Sequence, residues 1–251
     1  MSLPPRFYCP VALATGTDID LPAGAARHVQ VLRLQPSAPI VLFGATSPGA
    51  SAGPGGEFDA TVVEMGRSSV RVQVGAHHAV EREPARHIHL AIGVPANERM
   101  DWLIEKATEL GAASVQALMT ERTIVRLDGE RARKRADHWH SIAVAACEQC
   151  GRNQVPRVPE VAPLRQWLAQ QGRQPHSAGL QLLLSFRAGA RPLQDVLPPD
   201  CPVVTVLAGP EGGLSALEEE QALAQGFLPV SLGPRVLRAE TAAIAALTLL
   251  A

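Results

Sequence analysis

Three stretches of this chain carry residue types whose spacing suits a reactive or binding site. The first is "GPEGG", Gly209 to Gly213, which follows an apolar run and precedes a capped helix signature. Open α/β sheets bind ligands beyond the carboxyl ends of their strands, so the position suits a site. Three glycines and a proline also make an ordinary tight turn; Glu211 is a charge that such a turn does not need. The second is "SLGPRVLRAETAA", Ser231 to Ala243, where Arg235, Arg238 and Glu240 fall within six residues just ahead of an apolar tail. From Thr241 to the end only two threonines are polar, so a helix there is apolar on every side and has to be buried, in the core and against a partner subunit. Unpaired charges beside such a helix are expensive, and these three need each other, a second subunit or a ligand. The third is "CEQCGRNQVP", Cys147 to Pro156. Its single C-x-x-C lacks the further ligands of a zinc site, so Cys147 and Cys150 are expected as core thiols. Glu148, Gln149 and Arg152 cluster at a helix end where polar side chains reach a ligand; C-terminal capping by Arg152 is the structural alternative.

Other chemistries lack their residues. The phosphate-loop pattern and G-x-G-x-x-G are missing. So are G-x-S-x-G and H-E-x-x-H, and there is no acidic cluster for a divalent metal. A hydrolase built on a nucleophile or a metal is disfavoured. The run "ERTIVRLDGERARKR", residues 121–135, holds six basic and three acidic residues. It reads as a solvated helix face, with contact to an RNA backbone as the alternative.

The elements that must position these residues fall into two halves. Strands are predicted at Pro39–Phe43, Phe58–Val63 and Ser69–Val74, giving a small all-β, barrel-like module. A Gly/Pro/Ser/Ala-rich loop spans residues 44–56, and a polar linker spans 76–86. Beyond it strands and helices alternate. Strands are predicted at "HIHLAIGV", "SVQAL", "LQLLLSF", "VVTVLAG" and "LPVSLG". A helix over Arg99–Leu110 stops at Gly111, and a long one runs through "RARKRADHWHSIAVAACEQCG". A further helix opens on a Ser215/Glu218 capping box. Such alternation predicts a mostly parallel sheet covered by helices.

Composition sets the outer bounds. With 251 residues, 46% apolar and 19% charged, the chain suits one large or two modest soluble domains. No apolar run reaches the roughly 18 residues of a membrane span, and "MSLPPRFYCP" is not a signal peptide. Four cysteines make no disulfide framework, which points to the cytoplasm. The net charge of -1 argues against nonspecific coating of nucleic acid but leaves room for a local basic site. All but Lys106 and Lys134 of the 23 basic residues are arginine, a planar fork for phosphates and base edges and also a mark of a GC-rich genome.

Taken in order, "LIEKATELGA", "TERT", "CEQCGRNQVP", "LAGPEGGLSALE" and "LGPRVLRAETAA" resemble the motifs of the RsmE family. These bacterial enzymes methylate a uridine of 16S ribosomal RNA at ring N3. "RFY" and "RHVQVLRL" match the family's N-terminal module, so the resemblance covers nearly the whole chain. It departs where "QPSAP" replaces a Gly-Asp turn and in the longer loop of residues 44–56.

The resemblance implies a PUA-like β-barrel over residues 1–75, a linker over 76–86, and over 87–251 an α/β SPOUT methyltransferase domain with a C-terminal trefoil knot, an exception to ordinary connection rules. It also implies S-adenosylmethionine as cofactor, a homodimer with interface sites, 16S rRNA in the small ribosomal subunit as partner, and no metal. Carried onto this chain, the cofactor residues are Leu184; Ala208, Gly209, Pro210, Glu211, Gly212 and Gly213; Ser231, Leu232, Gly233, Pro234, Val236, Leu237 and Arg238; and Thr241 and Ala242. Contacts to RNA fall to Arg6, His28, Arg33 and Arg122.

Methylation at N3 needs the ring proton removed and the resulting charge on the carbonyl oxygens stabilised. Arg152, Arg235 and Arg238 are candidates for stabilisation, Arg152 first; Glu148 and Glu240 are candidates for the proton. Rival readings are a SPOUT ribose 2′-O-methyltransferase and a non-catalytic RNA-binding or ribosome-assembly factor. A nucleotide-dependent dehydrogenase ranks behind both, lacking the glycine fingerprint.

Overall fold

The computed structural model describes residues 4–44, 54–96, 98–171 and 179–251. The long loop expected over residues 44–56 therefore falls largely outside the described residues. The chain divides into two units, residues 1–83 with 144–155, and residues 84–143 with 156–251.

The first unit is built on a five-stranded sheet. Its strands are β1 (Arg6–Tyr8), β2 (Asp18–Asp20), β3 (Pro39–Phe43), β4 (Glu57–Met65) and β5 (Val70–His78), in the order β1-β3-β4-β5-β2. Only the β1–β3 pair is parallel. β4 and β5 alternate buried and exposed side chains, the signature of a sheet with one face on a core. That core contains Phe7, Ile40, Leu42, Phe58, Val62 and Val72.

The unit is not all-β as expected. Helix α1 (Ala23–Val31) packs Ala25, Ala26 and Val29 into the same core. β5 also continues to His78, three residues into the segment expected as linker. Within "QPSAP", Ser37 adopts φ +73°, so a serine takes a left-handed turn position that glycine fills more easily.

The second unit alternates as the sequence indicates. It contains β6 (His87–Gly93), α2 (Arg99–Glu109), β7 (Ala112–Met119) and most of α3 (Gly129–Cys150). Next come β8 (Ala162–Pro163), α4 (Leu164–Gln171), β9 (Leu180–Leu184), β10 (Arg191–Pro192) and α5 (Leu193–Val196). β11 (Val203–Ala208), α6 (Ala216–Ala224), β12 (Leu228–Ser231) and α7 (Ala239–Leu250) complete it. The seven strands form one parallel sheet in the order β10-β12-β9-β11-β6-β7-β8. β6 and β11 are buried along nearly their whole length, as central parallel strands covered on both faces must be.

α6 opens with the capping box read from the sequence. Ser215 Oγ accepts from the Glu218 amide, and a Glu218 carboxylate oxygen accepts from the Ser215 amide. α7 packs on α2, β6 and β11 through Ala243, Ala246, Leu247 and Leu250. It is not enclosed on every side within this chain: Thr241 and Thr248 are exposed and Leu249 is 42% exposed.

Candidate functional site

The strand order brings the carboxyl ends of β9, β11 and β12 side by side, and a cavity of about 400 Å³ opens there. This is where a parallel sheet places its ligands. Three loops, each the continuation of one strand, form most of its wall.

After β11, Ala208 and the whole of Gly209, Pro210, Glu211, Gly212 and Gly213 line the cavity. At Gly209 this loop leaves no room for a side chain. A Cβ on Gly209 would stand 2.6 Å from the Gly213 carbonyl carbon and the Leu214 nitrogen. One on Gly93, at the end of β6, would meet Pro210 Cδ at 2.5 Å. Gly213 itself has φ +69°, and its amide closes the turn on the Pro210 carbonyl at 2.8 Å. The loop is also fastened by side chains. Arg122 Nη1 donates to the Gly212 carbonyl at 2.7 Å. A Glu211 oxygen accepts from the Ala96 amide at 2.9 Å and from Arg99 Nη1 at 3.1 Å.

After β12, Ser231, Leu232, Arg235, Val236 and Leu237 line the cavity, followed by Ala239 and Ala242 of α7. Gly233, Pro234, Arg238 and Thr241, expected in the same set, are not among its lining residues. Val236 is 82% exposed, so it presents an apolar side chain at an open rim.

After β9, Leu184 is joined by Ser185, Phe186 and Arg187, which the sequence reading did not single out. Ser185 Oγ donates to Glu219 at 2.9 Å and accepts from the Arg187 amide at 3.1 Å, while Phe186 stays exposed. Glu219 and Leu214 also line the cavity; Leu214 falls within "LAGPEGGLSALE" but was not singled out as a site residue, and Glu219 lies just beyond that motif.

Arg122, expected as an RNA contact in the "TERT" segment, is thus part of the cavity wall. That segment is tied down by Glu218, whose second oxygen accepts from the Glu121 amide at 2.8 Å. The capping box therefore anchors "TERT" as well as α6.

The remaining site candidates occupy other surroundings. Glu240 lies buried at the start of α7, with Oε1 3.7 Å from Arg99 Nε. Arg152, Glu148, Arg6 and His28 all belong to the first unit. Arg152 is 3% exposed, and its guanidinium is paired with Glu83 through both Nε and Nη2. Glu148 accepts from the Tyr8 amide at 3.0 Å and lies 2.9 Å from His28 Nδ1.

Arg6, expected as an RNA contact, is a largely buried residue bonded to Glu57 and to Asn153 Oδ1 at 2.6 Å. Burial alone pushes the Glu57 carboxyl up, but hydrogen bonds and charge from Arg82 and Arg6 outweigh it and hold it down at about 2. These contacts, with Asn153 Nδ2 donating to the Val80 carbonyl, tie residues 144–155 to the first unit rather than to the second, where sequence placed them. Arg33 is exposed with φ 55°.

Cys147 is fully buried, and desolvation pushes its thiol up to about 12, the environment of an unreactive core thiol. Cys150 is half-buried. Among the described residues no group of three or more His, Cys, Asp or Glu is arranged to hold a metal.

Known proteins place this geometry in context. Residues 81–251 match the RNA methyltransferase domain family. Ribosomal RNA small subunit methyltransferase E of Buchnera aphidicola (subsp. Schizaphis graminum) is 28% identical over 98% of this chain and 95% of its own. The protein of the same name from Mesomycoplasma hyopneumoniae is 30% identical over 66% of this chain and 70% of its own. Among solved structures, ribosomal RNA small subunit methyltransferase E from Neisseria gonorrhoeae, bound to S-adenosyl methionine, is 36% identical. It superposes with a TM-score of 0.88 over 99% of this chain and 97% of its own.

Proposed function

Because the chain belongs to the RNA methyltransferase family that includes ribosomal RNA small subunit methyltransferase E, we propose that it methylates N3 of a uridine in 16S rRNA, using S-adenosylmethionine. One observation carries the reading. The cavity walled by "AGPEGG" and "SLGPRVL" lies at the carboxyl ends of adjacent parallel strands, in a chain whose 36% identical relative holds this cofactor. The residues fit the group: the walls offer glycine-rich backbone for hydrogen bonding and apolar Leu184, Val236 and Leu237 for a purine ring.

When bound, S-adenosylmethionine supplies a methyl group on a positively charged sulfur. This chain's residues then have three tasks. Backbone groups of residues 208–213 and 231–237 hold and orient the cofactor, which is most of the work in a transfer that depends on alignment. Apolar side chains around the cavity exclude water. A guanidinium stabilises the negative charge that spreads over the uracil carbonyl oxygens when N3 gives up its proton to solvent water. Arg235 is the sequence candidate that lines the cavity and takes this role. Arg152, engaged by Glu83, acts as an organiser of the first unit.

The same reading assigns the rest of the chain. The first unit is a PUA-like RNA-binding module presenting His28 and Arg33, and the C-terminal part of the second unit is threaded as a trefoil knot. The enzyme works in the cytoplasm as a homodimer. The exposed Thr248 and Leu249, with half-buried Ile244 and Ala245, give α7 an outward apolar face that supports pairing with a second copy.

The test is the product. Nucleoside analysis of rRNA treated with enzyme and cofactor is expected to yield 3-methyluridine; a 2′-O-methylated nucleoside would replace this reading with the ribose alternative.

A further inference from the structure

Arg99 stands at the start of α2, in no motif that marked the site, and is not among the cavity's lining residues. Its guanidinium faces two of the cavity's walls at once. Nη1 donates to Glu211 Oε1 at 3.1 Å, on the glycine-rich loop. Nε stands 3.7 Å from Glu240 Oε1, in the first turn of α7, the helix that contributes Ala239 and Ala242 to the cavity. Among the described residues Glu240 Oε2 is buried without a hydrogen-bond partner, and Arg99 is the cation that faces this carboxylate. Glu211 is meanwhile held from the same side by the Ala96 amide.

We infer that Arg99 is a positioning residue for cofactor binding: it fastens the loop after β11 to the first turn of α7 and thereby sets the distance between two walls of the cavity. Elsewhere the loop is anchored by the Ala96 amide on Glu211 and by Arg122 on the Gly212 carbonyl, neither of which reaches α7. α7 carries no side-chain cap at its N-terminus. A planar cation carries donors on separate edges, so Nη1 can meet Glu211 while Nε faces Glu240.

This inference rests on the cavity being the S-adenosylmethionine site, and the experiment separates the two. Calorimetric titration with S-adenosylmethionine is run on the wild-type protein, Arg99→Ala, Glu211→Gln and the double variant, with cofactor KM and kcat measured in parallel. Each single variant is expected to bind about tenfold more weakly, within the range that contacting residues show. The double variant should be no weaker than the poorer single one, because both cut the same link. Cofactor KM should rise while kcat changes less than about twofold, as for a group that loses ground-state and transition-state binding equally. Glu211→Gln keeps the shape of a partly exposed side chain and removes its charge, so it reports on the link even if Arg99→Ala proves unstable. Unaltered affinity in both single variants overturns the inference, as do fully additive losses, which a general loosening would give. A wild-type protein that takes up no cofactor overturns the methyltransferase reading and this inference with it.

Discussion

Arg122 reaches from the loop after β7 to donate to the Gly212 carbonyl at 2.7 Å, joining "TERT" to "GPEGG" across 90 positions of sequence. The cation satisfies a carbonyl of the tight turn, so the contact shapes the wall of the cavity as well as its charge. Hydrogen bonds to charged groups are stronger than neutral ones, but this one lies at an exposed rim.

Arg122→Ala should therefore weaken S-adenosylmethionine binding by about fivefold, equivalent to about 1 kcal/mol. Calorimetry measures it directly. The melting temperature should hardly move, because the side chain is exposed and no core contact is lost.

Gly209→Ala tests the packing of the same loop. The added methyl would sit 2.6 Å from backbone atoms of Gly213 and Leu214, which cannot yield as a flexible side chain can. Overpacking of this kind costs about 2 kcal/mol. The expected result is a melting temperature lower by about 6 °C, the shift a chain of this size shows for that energy, together with loss of measurable cofactor binding.

Arg152 and Arg235 should behave in opposite ways. Removing one partner of a buried ion pair leaves the other uncompensated, at a cost of about 3 kcal/mol. Arg152→Ala and Glu83→Gln should both lower the melting temperature by several degrees, whatever their effect on turnover. Arg235→Ala, at an exposed rim, should leave melting unchanged and reduce kcat about 100-fold. A thermally normal Arg152→Ala protein with lost turnover would return the catalytic role to Arg152.

Acid should loosen the first unit through Glu57. Its carboxyl sits at about 2 in the folded protein, below the ordinary value of 4.5. A group whose folded value is depressed contributes stability in full above the unfolded value, and loses it as pH falls toward the folded one. The Arg6–Glu57–Arg82 contribution is thus complete above about pH 5 and fades between about 4.5 and 2. Denaturant titrations across that window should show a flatter pH dependence for Glu57→Gln than for the wild type.

What was legible in the sequence was local. β3 was readable end to end because Pro39–Phe43 is a β-branched and aromatic run bounded by turn residues. The start of α6 was readable because a capping box is a three-residue spacing. Glycine-rich loops after buried strands pointed to the cavity walls for the same reason. α1 was missed, since "AGAARHVQV" is short and its apolar stripe is thin, so that neighbouring strands dominated the reading.

The residues hardest to find were those whose partners lie far along the chain. Arg6 and Arg152 look like surface charges until Glu57, Asn153 and Glu83 are placed beside them. Ser185 and Phe186 join the cavity only because strand order sets β9 between β11 and β12. Arg99 has no sequence signal at all, being one arginine among many at the start of a helix. Glu240 was placed correctly near the start of the apolar helix, but its side chain faces Arg99, and only coordinates reveal that direction.

The most direct test of the central claim is methylation of small ribosomal subunits from cells lacking this modification. They are incubated with the protein and isotopically labelled S-adenosylmethionine, and reverse transcription is then mapped along the 16S rRNA. A methyl on N3 blocks the pairing edge of uracil, so the account predicts label incorporation and one new enzyme-dependent stop adjacent to a single uridine. Label incorporated with no stop at any uridine, or no incorporation at all, would contradict it.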